Sequence, residues 1–166
     1  MNKAYLLTGG NMGNRVQNLA DACTLIGQQI GPVEATSSLY ETAAWGVADQ
    51  PDYLNQVVIV KTLLTPEALL NELLAIEHQL GRTRLHKYDA RTIDIDILLY
   101  NQLIFNLPNL HIPHEHLHRR RFALVPLAEV AGSYVHPIWG KTILTLLEEC
   151  TDVLHVKKFA SANAGK

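Results

Sequence analysis

Arg91-Thr92-Ile93-Asp94-Ile95-Asp96-Ile97-Leu98-Leu99-Tyr100 alternates isoleucine with aspartate and then turns wholly apolar. Period-two alternation marks a strand with one buried and one polar face, so Thr92 to Tyr100 is read as a strand. Asp94 and Asp96 leave it on the same side, their Cα atoms ~7 Å apart by strand rise.

The segments before it decide the fold. Ala4 to Thr8 is an apolar run closed by Gly9-Gly10, which reads as a buried strand ending in a tight turn. From Arg15 to Ile30 the residues Val16, Leu19, Ala20, Cys23, Ile26 and Ile30 keep helical spacing, with Asn14 as N-cap and Gly31-Pro32 as stop. Val33 to Thr42 reads as a second strand, 43 to 52 as a loop and Tyr53 to Thr62 as a third strand. Thr65-Pro66-Glu67 opens a second helix that runs through Leu69, Leu73, Ile76 and Leu80 to Gly81. With a polar loop from Arg82 to Arg91, the order is βαββαβ: an α+β fold with a ferredoxin-like core, an antiparallel sheet and both helices on one face. A short strand at Leu103 to Phe105, a Pro- and His-rich segment and additional C-terminal helices at Phe122 to Val130 and Thr142 to Glu149 follow. Residues 1 to 160 are expected to form a single domain and 161 to 166 a disordered tail.

The 166-residue chain has a net charge of -2 and is 48% hydrophobic, enough to bury a core without a disulfide or metal staple. Cys23 and Cys150 stand far apart, and no stretch has the length of a signal peptide core or membrane span, so a cytoplasmic protein with no membrane partner is expected. The charge is uneven: residues 1–81 carry 3 cationic and 8 anionic side chains, 82–121 carry 7 and 4, and 122–166 carry 4 and 4. Anion binding is therefore expected in the middle segment.

Paired carboxylates on one strand face suit a hard cation such as Mg²⁺, which is commonly held by one or two carboxylates and substrate phosphates. Arg82, Arg84, His86, Lys87 and Arg91 precede the pair, and His114, His116, His118, Arg119, Arg120 and Arg121 follow it. Cations on both sides of two acids point to a metal-polyphosphate site, against the plainer reading of a solvated strand face between charged loops. Gly9 to Asn14 has neither phosphate-loop pattern, so its glycines serve a turn or a flat ligand's approach. The clustered histidines invite zinc, but Pro113 interrupts them and neither HExxH nor a nearby cysteine accompanies them. Tyr53 and Asn55 share a face of the third strand; they belong to the core or else stack on and read a planar heterocycle.

Taken together, Gly9-Gly10-Asn11, Gln50-Pro51-Asp52-Tyr53-Leu54-Asn55, Glu77 with Gly81-Arg82-Thr83-Arg84, the Arg91 to Leu98 run, Ile112-Pro113-His114, Arg120-Arg121-Phe122, Pro126-Leu127 and His136-Pro137 resemble the 6-hydroxymethyl-7,8-dihydropterin pyrophosphokinases of folate biosynthesis. The resemblance covers about residues 3 to 149 and agrees with the ferredoxin-like plan. It implies that Asp94 and Asp96 hold two Mg²⁺ ions, with ATP as co-substrate. By the same resemblance Arg82, Arg84 and Arg91 are loop cations at the phosphates, Arg82 and Arg91 taking part in catalysis. Glu77, Ile97 (by its backbone), His114 and Arg120 are implied nucleotide contacts. Tyr53 and Phe122 are to sandwich the pterin, Asn55 to bond its amide edge, and Thr42, Ala43 and Trp45 to line its pocket.

The implied reaction is pyrophosphate transfer from ATP to the pterin alcohol, with small molecules as the only partners, no nucleic acid and a monomeric enzyme. Departures from the family pattern are Ala43-Ala44 in place of two prolines, Tyr88-Asp89-Ala90 before Arg91, Glu115 after His114, Leu74 on the second helix and His111 where a small hydroxyl is usual. They are expected to alter affinities more than activity. The rival reading is a non-catalytic ferredoxin-like nucleotide or RNA-binding module, or an inactive or acceptor-changed relative; on a bare strand Asp94 and Asp96 would repel a phosphate backbone.

Overall fold

A long strand, β1 (Asn2–Gly10), pairs antiparallel along its whole length with β4 (Tyr53–Thr62) and on its other side with β5 (Asp94–Tyr100). The computed structural model describes residues 1–43, 51–81 and 92–160. β4 also pairs with β2 (Val33–Thr36) and β3 (Tyr40–Thr42), and β3 carries β8 (Val156–Lys158) on its outer side. The resulting six-stranded order is β5-β1-β4-β3-β8, with β2 beside β4.

α1 (Arg15–Gln29) and α2 (Pro66–Gln79) lie on one face, where Leu19, Ile26, Leu69, Leu73 and Ile76 pack on Ala4, Leu6, Val58 and Ile97. The Asn14 and Thr65 side chains cap these helices by accepting the N–H groups of Gln17 and Ala68. Gly81 ends α2 with φ 85°, a left-handed geometry that costs glycine little. α3 (Arg121–Ala131) and α4 (Ile143–Glu149) cover the opposite face, packing Leu124, Leu127 and Ile143 on Tyr5, Leu7, Val57 and Leu98. Each fully buried Leu or Ile contributes about 1.5–3 kcal/mol, so the C-terminal helices close a second core layer.

The sheet departs from the sequence reading in places with local causes. The strand expected over Val33 to Thr42 breaks after Thr36, because the Ser37 hydroxyl accepts the Val57 N–H and donates to the Ser38 carbonyl. Gly9 and Gly10 do not turn: they pair with Asn55 and Leu54 inside β1, and positive φ waits until Gly13. The strand expected at Leu103 to Phe105 lies instead at β6 (Phe105–Leu107), hairpinned to β7 (Leu110–Ile112), since Asn101 and Leu103 form the turn that ends β5. A 3₁₀ turn follows at Leu117–Arg119.

A register shift between Tyr5 and Leu6 leaves Leu98 as an extra residue in β5, so Leu98 and Leu99 both enter the α3/α4 layer. This bulge explains why the alternation of Asp94 to Ile97 gives way to three apolar residues. Asp94 and Asp96 consequently belong to the face that α3 and α4 pack, and both are half-buried. They are not the solvated side of a one-sided sheet.

Candidate active site

The C-terminal end of β1 meets the starts of β4 and β5 and the end of β3 at one end of the sheet. Register sets side chains in a row across four strands on the α3 face: Asp94, Gly9, Asn55 and Tyr40, each facing the next. Thr42 faces Tyr53 one step outward, and Asp96 faces Leu7 one step inward. Asp94 and Asn55 are thus two strands apart, ~10 Å between Cα atoms, with only a glycine between them. Asn55 and Thr42 are 5% and 3% exposed. The Thr42 Oγ1 is buried without a hydrogen-bond partner among the described residues. Phe122, in the first turn of α3, packs partly buried on the same layer, and the Arg120 guanidinium lies 5.6 Å from its ring centre.

Beyond the aspartates, the outer edge of β5 is engaged by groups from two directions. Glu77 on α2, 5% exposed, accepts the Ile95 N–H at 2.7 Å, and the His114 N–H donates to the Leu98 carbonyl at 2.9 Å. Ile97 sits between these two attachments. Burial, followed by the nearby Arg120 charge, pushes the His114 pKa down to about 4. Its Nδ1 accepts the His116 N–H, so the neutral ring carries its proton on Nε2. Among the described residues no group of three or more His, Cys, Asp or Glu side chains gathers as a metal cage.

A profile of the 7,8-dihydro-6-hydroxymethylpterin-pyrophosphokinase (HPPK) family matches residues 5–132. The chain belongs to this family. Curated relatives include the 2-amino-4-hydroxy-6-hydroxymethyldihydropteridine pyrophosphokinase of Haemophilus influenzae, 42% identical over 93% of this chain and 96% of the relative. The enzyme of the same name from Synechocystis is 43% identical over 87% of this chain and 75% of its own. Wild-type HPPK-DHPS of Plasmodium falciparum superposes with a TM-score of 0.75 at 19% identity, over 89% of this chain and 44% of the Plasmodium chain, a likeness of fold. The present chain thus spans less than half of that longer protein.

Of the residues the HPPK resemblance singles out, Asp94, Asp96, Asn55, Tyr53 and Thr42 come together on one face, with Phe122 on the helix above them. Glu77, Ile97 and His114 gather at the edge of β5, and Arg120 stands between the two groups. Ala43 is exposed just past β3. Trp45, Arg82, Arg84, Arg91 and the departure at Tyr88-Asp89-Ala90 lie outside the described residues, as does the 161–166 tail. Of the other departures, His111 Nδ1 meets the Asn106 carboxamide at 3.2 Å, Glu115 is exposed beside His116, and Leu74 is exposed on α2.

Sequence reasoning missed a tether between α3 and the β3 side of this candidate site. Glu129 on α3 accepts the Tyr40 hydroxyl at 2.5 Å and the Ser38 N–H at 2.7 Å, with Lys158 Nζ at 3.9 Å. Burial alone would raise the Glu129 pKa, but these bonds and the lysine charge outweigh it and hold it low. Burial, reinforced by the same carboxylate, pushes Tyr40 up to about 12, so its proton stays in the bond. A tyrosine in a strand and a glutamate about ninety residues later carry no spacing signal.

Proposed function

We propose that the chain transfers the pyrophosphoryl group of ATP to the hydroxymethyl oxygen of 6-hydroxymethyl-7,8-dihydropterin, releasing AMP, a step in folate synthesis. The family match makes it a pyrophosphokinase with ATP as co-substrate, which we place in EC class 2.7.6. The observation that carries the reading at residue level is the row Asp94-Gly9-Asn55, with an acidic pair between the edge of β5 and the wall formed by β3 and β4.

Asp94 and Asp96 fit Mg²⁺, being two half-buried carboxylates on one face of one strand, the hard oxygen donors that this ion takes. Two bound Mg²⁺ ions would supply charge neutralisation at the phosphates and a more acidic acceptor hydroxyl. Glu77, the Ile97 backbone, His114 and Arg120 bind the nucleotide along the β5 edge, the neutral His114 offering an Nε2–H. Arg82, Arg84 and Arg91 bring cations to the phosphates.

Tyr53 and Phe122 hold the pterin ring between them, and Asn55 bonds its amide edge with both donor and acceptor. Thr42 supplies a buried hydroxyl that lacks a partner among the described residues, and Ala43 and Trp45 complete the pocket. Held this way, the acceptor oxygen attacks the β-phosphorus in line. The new O–P bond forms as the bond from the β-phosphorus to the α-phosphate oxygen breaks, its electron pair leaving on AMP and the hydroxyl proton passing to solvent. Positioning and charge carry the catalysis, and no side-chain nucleophile is needed.

All of these groups come from one chain, and we read the enzyme as a cytoplasmic monomer that acts on small molecules and not on nucleic acid. Among the described residues no helix is long and apolar enough to cross a membrane. Incubation with Mg-ATP and the pterin alcohol is expected to yield AMP in step with pterin diphosphate. Formation of ADP, or no AMP from folded protein, would overturn the proposal.

A further inference from the structure

Gly9 stands at the centre of the site, facing Asp94 on one side and Asn55 on the other. A Cβ built on Gly9 would lie 2.1 Å from the Asn55 Oδ1 and 3.2 Å from its Cγ, while the nearest backbone atom, the Leu54 carbonyl oxygen, stands at 3.4 Å. The first distance is one that real Cβ atoms essentially never show, the second is tight enough that the neighbour must give by a few tenths of an ångström, and the third is ordinary contact. The glycine is not required by its backbone, which is extended strand with no positive φ. What requires it is the neighbouring carboxamide, which leans across the strand into the space that any other residue's Cβ would fill.

We infer that Gly9 is a positioning residue for pterin recognition: its bare Cα lets the Asn55 carboxamide lie across β1, fixing the amide that reads the heterocycle at a set distance from Asp94. The inference rests on Asn55 being the pterin-reading residue. Asn55 is 5% exposed, so a displaced carboxamide has little room to find an equivalent pose. A methyl group at position 9 therefore rotates it away from its acceptor-donor alignment. The effect falls on binding of the flat ligand, because the carboxylates of Asp94 and Asp96 and the edge of β5 lie on the far side of Gly9.

The test is a double-mutant cycle of Gly9→Ala and Asn55→Ala, with pterin and Mg-ATP affinities measured by titration calorimetry and steady-state kinetics alongside. Gly9→Ala is expected to raise KM for the pterin at least about tenfold, with kcat at saturating pterin within about threefold and Mg-ATP affinity within about twofold, the size expected when a group that holds a ligand-contacting side chain in place is disturbed. In the Asn55→Ala background, where the obstructing oxygen is gone, adding Gly9→Ala should change pterin affinity less than about twofold. Independent, multiplying effects of the two substitutions would overturn the inference, as would unaltered pterin binding in Gly9→Ala beside weakened binding in Asn55→Ala. Unaltered binding in Asn55→Ala would instead remove the pterin-reading role of Asn55 and the inference with it. Should Gly9→Ala fail to fold, recovery of the fold in the double variant would uphold the coupling, and failure of both would overturn it.

Discussion

Asp94 and Asp96 occupy the polar phase of a strand whose opposite phase, Ile95 and Ile97, is buried against α1 and α2. Replacing either aspartate with alanine is expected to lower turnover by roughly 10³-fold, the scale of removing a charge-stabilising group in phosphoryl transfer, with an unaltered circular dichroism spectrum. Unfolding of the variants, or retained turnover, would make the pair structural. Both carboxylates were legible because period two and flanking cations are properties of adjacent residues. The bulge at Leu98 that fixes their face was not, since Leu98-Leu99-Tyr100 carries no mark of an extra residue. His136 gives a second prediction at this scale. It is 2% exposed, its Nδ1 accepts the Ile138 and Trp139 N–H groups, and burial, then His118, pushes its pKa down to about 4. The unfolded chain therefore takes up the proton first as pH falls, so this contribution is whole above the unfolded value and is lost between about pH 6.5 and 4. Stability in urea should drop by about 2 kcal/mol from this residue between pH 6.5 and 5, and His136→Asn should flatten that slope. An equal slope in the variant would assign the pH dependence elsewhere.

Helix α3 and strand β3 make the two walls of the proposed pterin slot, and Glu129 joins them through Tyr40 and Ser38. Glu129→Ala leaves the buried Tyr40 hydroxyl and the Ser38 N–H between β2 and β3 without their acceptor, which costs about 2 kcal/mol. Chemical denaturation should show that loss together with a raised KM for the pterin and little change in KM for ATP. Equal shifts in both KM values would mean that the tether supports the fold and not the slot. The helices and the long strands were readable from their caps and periodicity: Asn14, Thr65 and Gly81 all act where their residue types predict. Three-residue strands were not. β7 and β8 are too short to establish a period, and the break at Ser37 depends on a hydroxyl replacing a ladder bond to Val57, a partner twenty residues away.

Across the whole molecule, the C-terminal region roofs the Asp94-bearing face of a ferredoxin-like core. That these helices exist was visible in the sequence; that they cover the face bearing Asp94 and Asn55 depends on contacts spanning most of the chain, such as Ser38 with Glu129 and β3 with β8. β8 pairs Tyr40, Glu41 and Thr42 with Lys158, Lys157 and Val156, so it keeps the pocket strand from being a sheet edge. Truncation after Leu154 should cost on the order of 2 kcal/mol, about 4–8 °C in Tm, and weaken pterin binding before it affects nucleotide binding. An unaltered pterin affinity would separate the sheet's end strand from the site. The central claim, that the Asp94-Gly9-Asn55 row is where pyrophosphate passes from ATP to a pterin, is tested most directly by phosphorus NMR of a single turnover with Mg-ATP and 6-hydroxymethyl-7,8-dihydropterin. Wild-type enzyme should move the β and γ phosphorus resonances together onto the pterin as AMP appears, and the Asp94→Ala enzyme, still folded, should leave ATP intact over the same interval. Equal transfer by both enzymes, or transfer of the γ phosphorus alone, would contradict it.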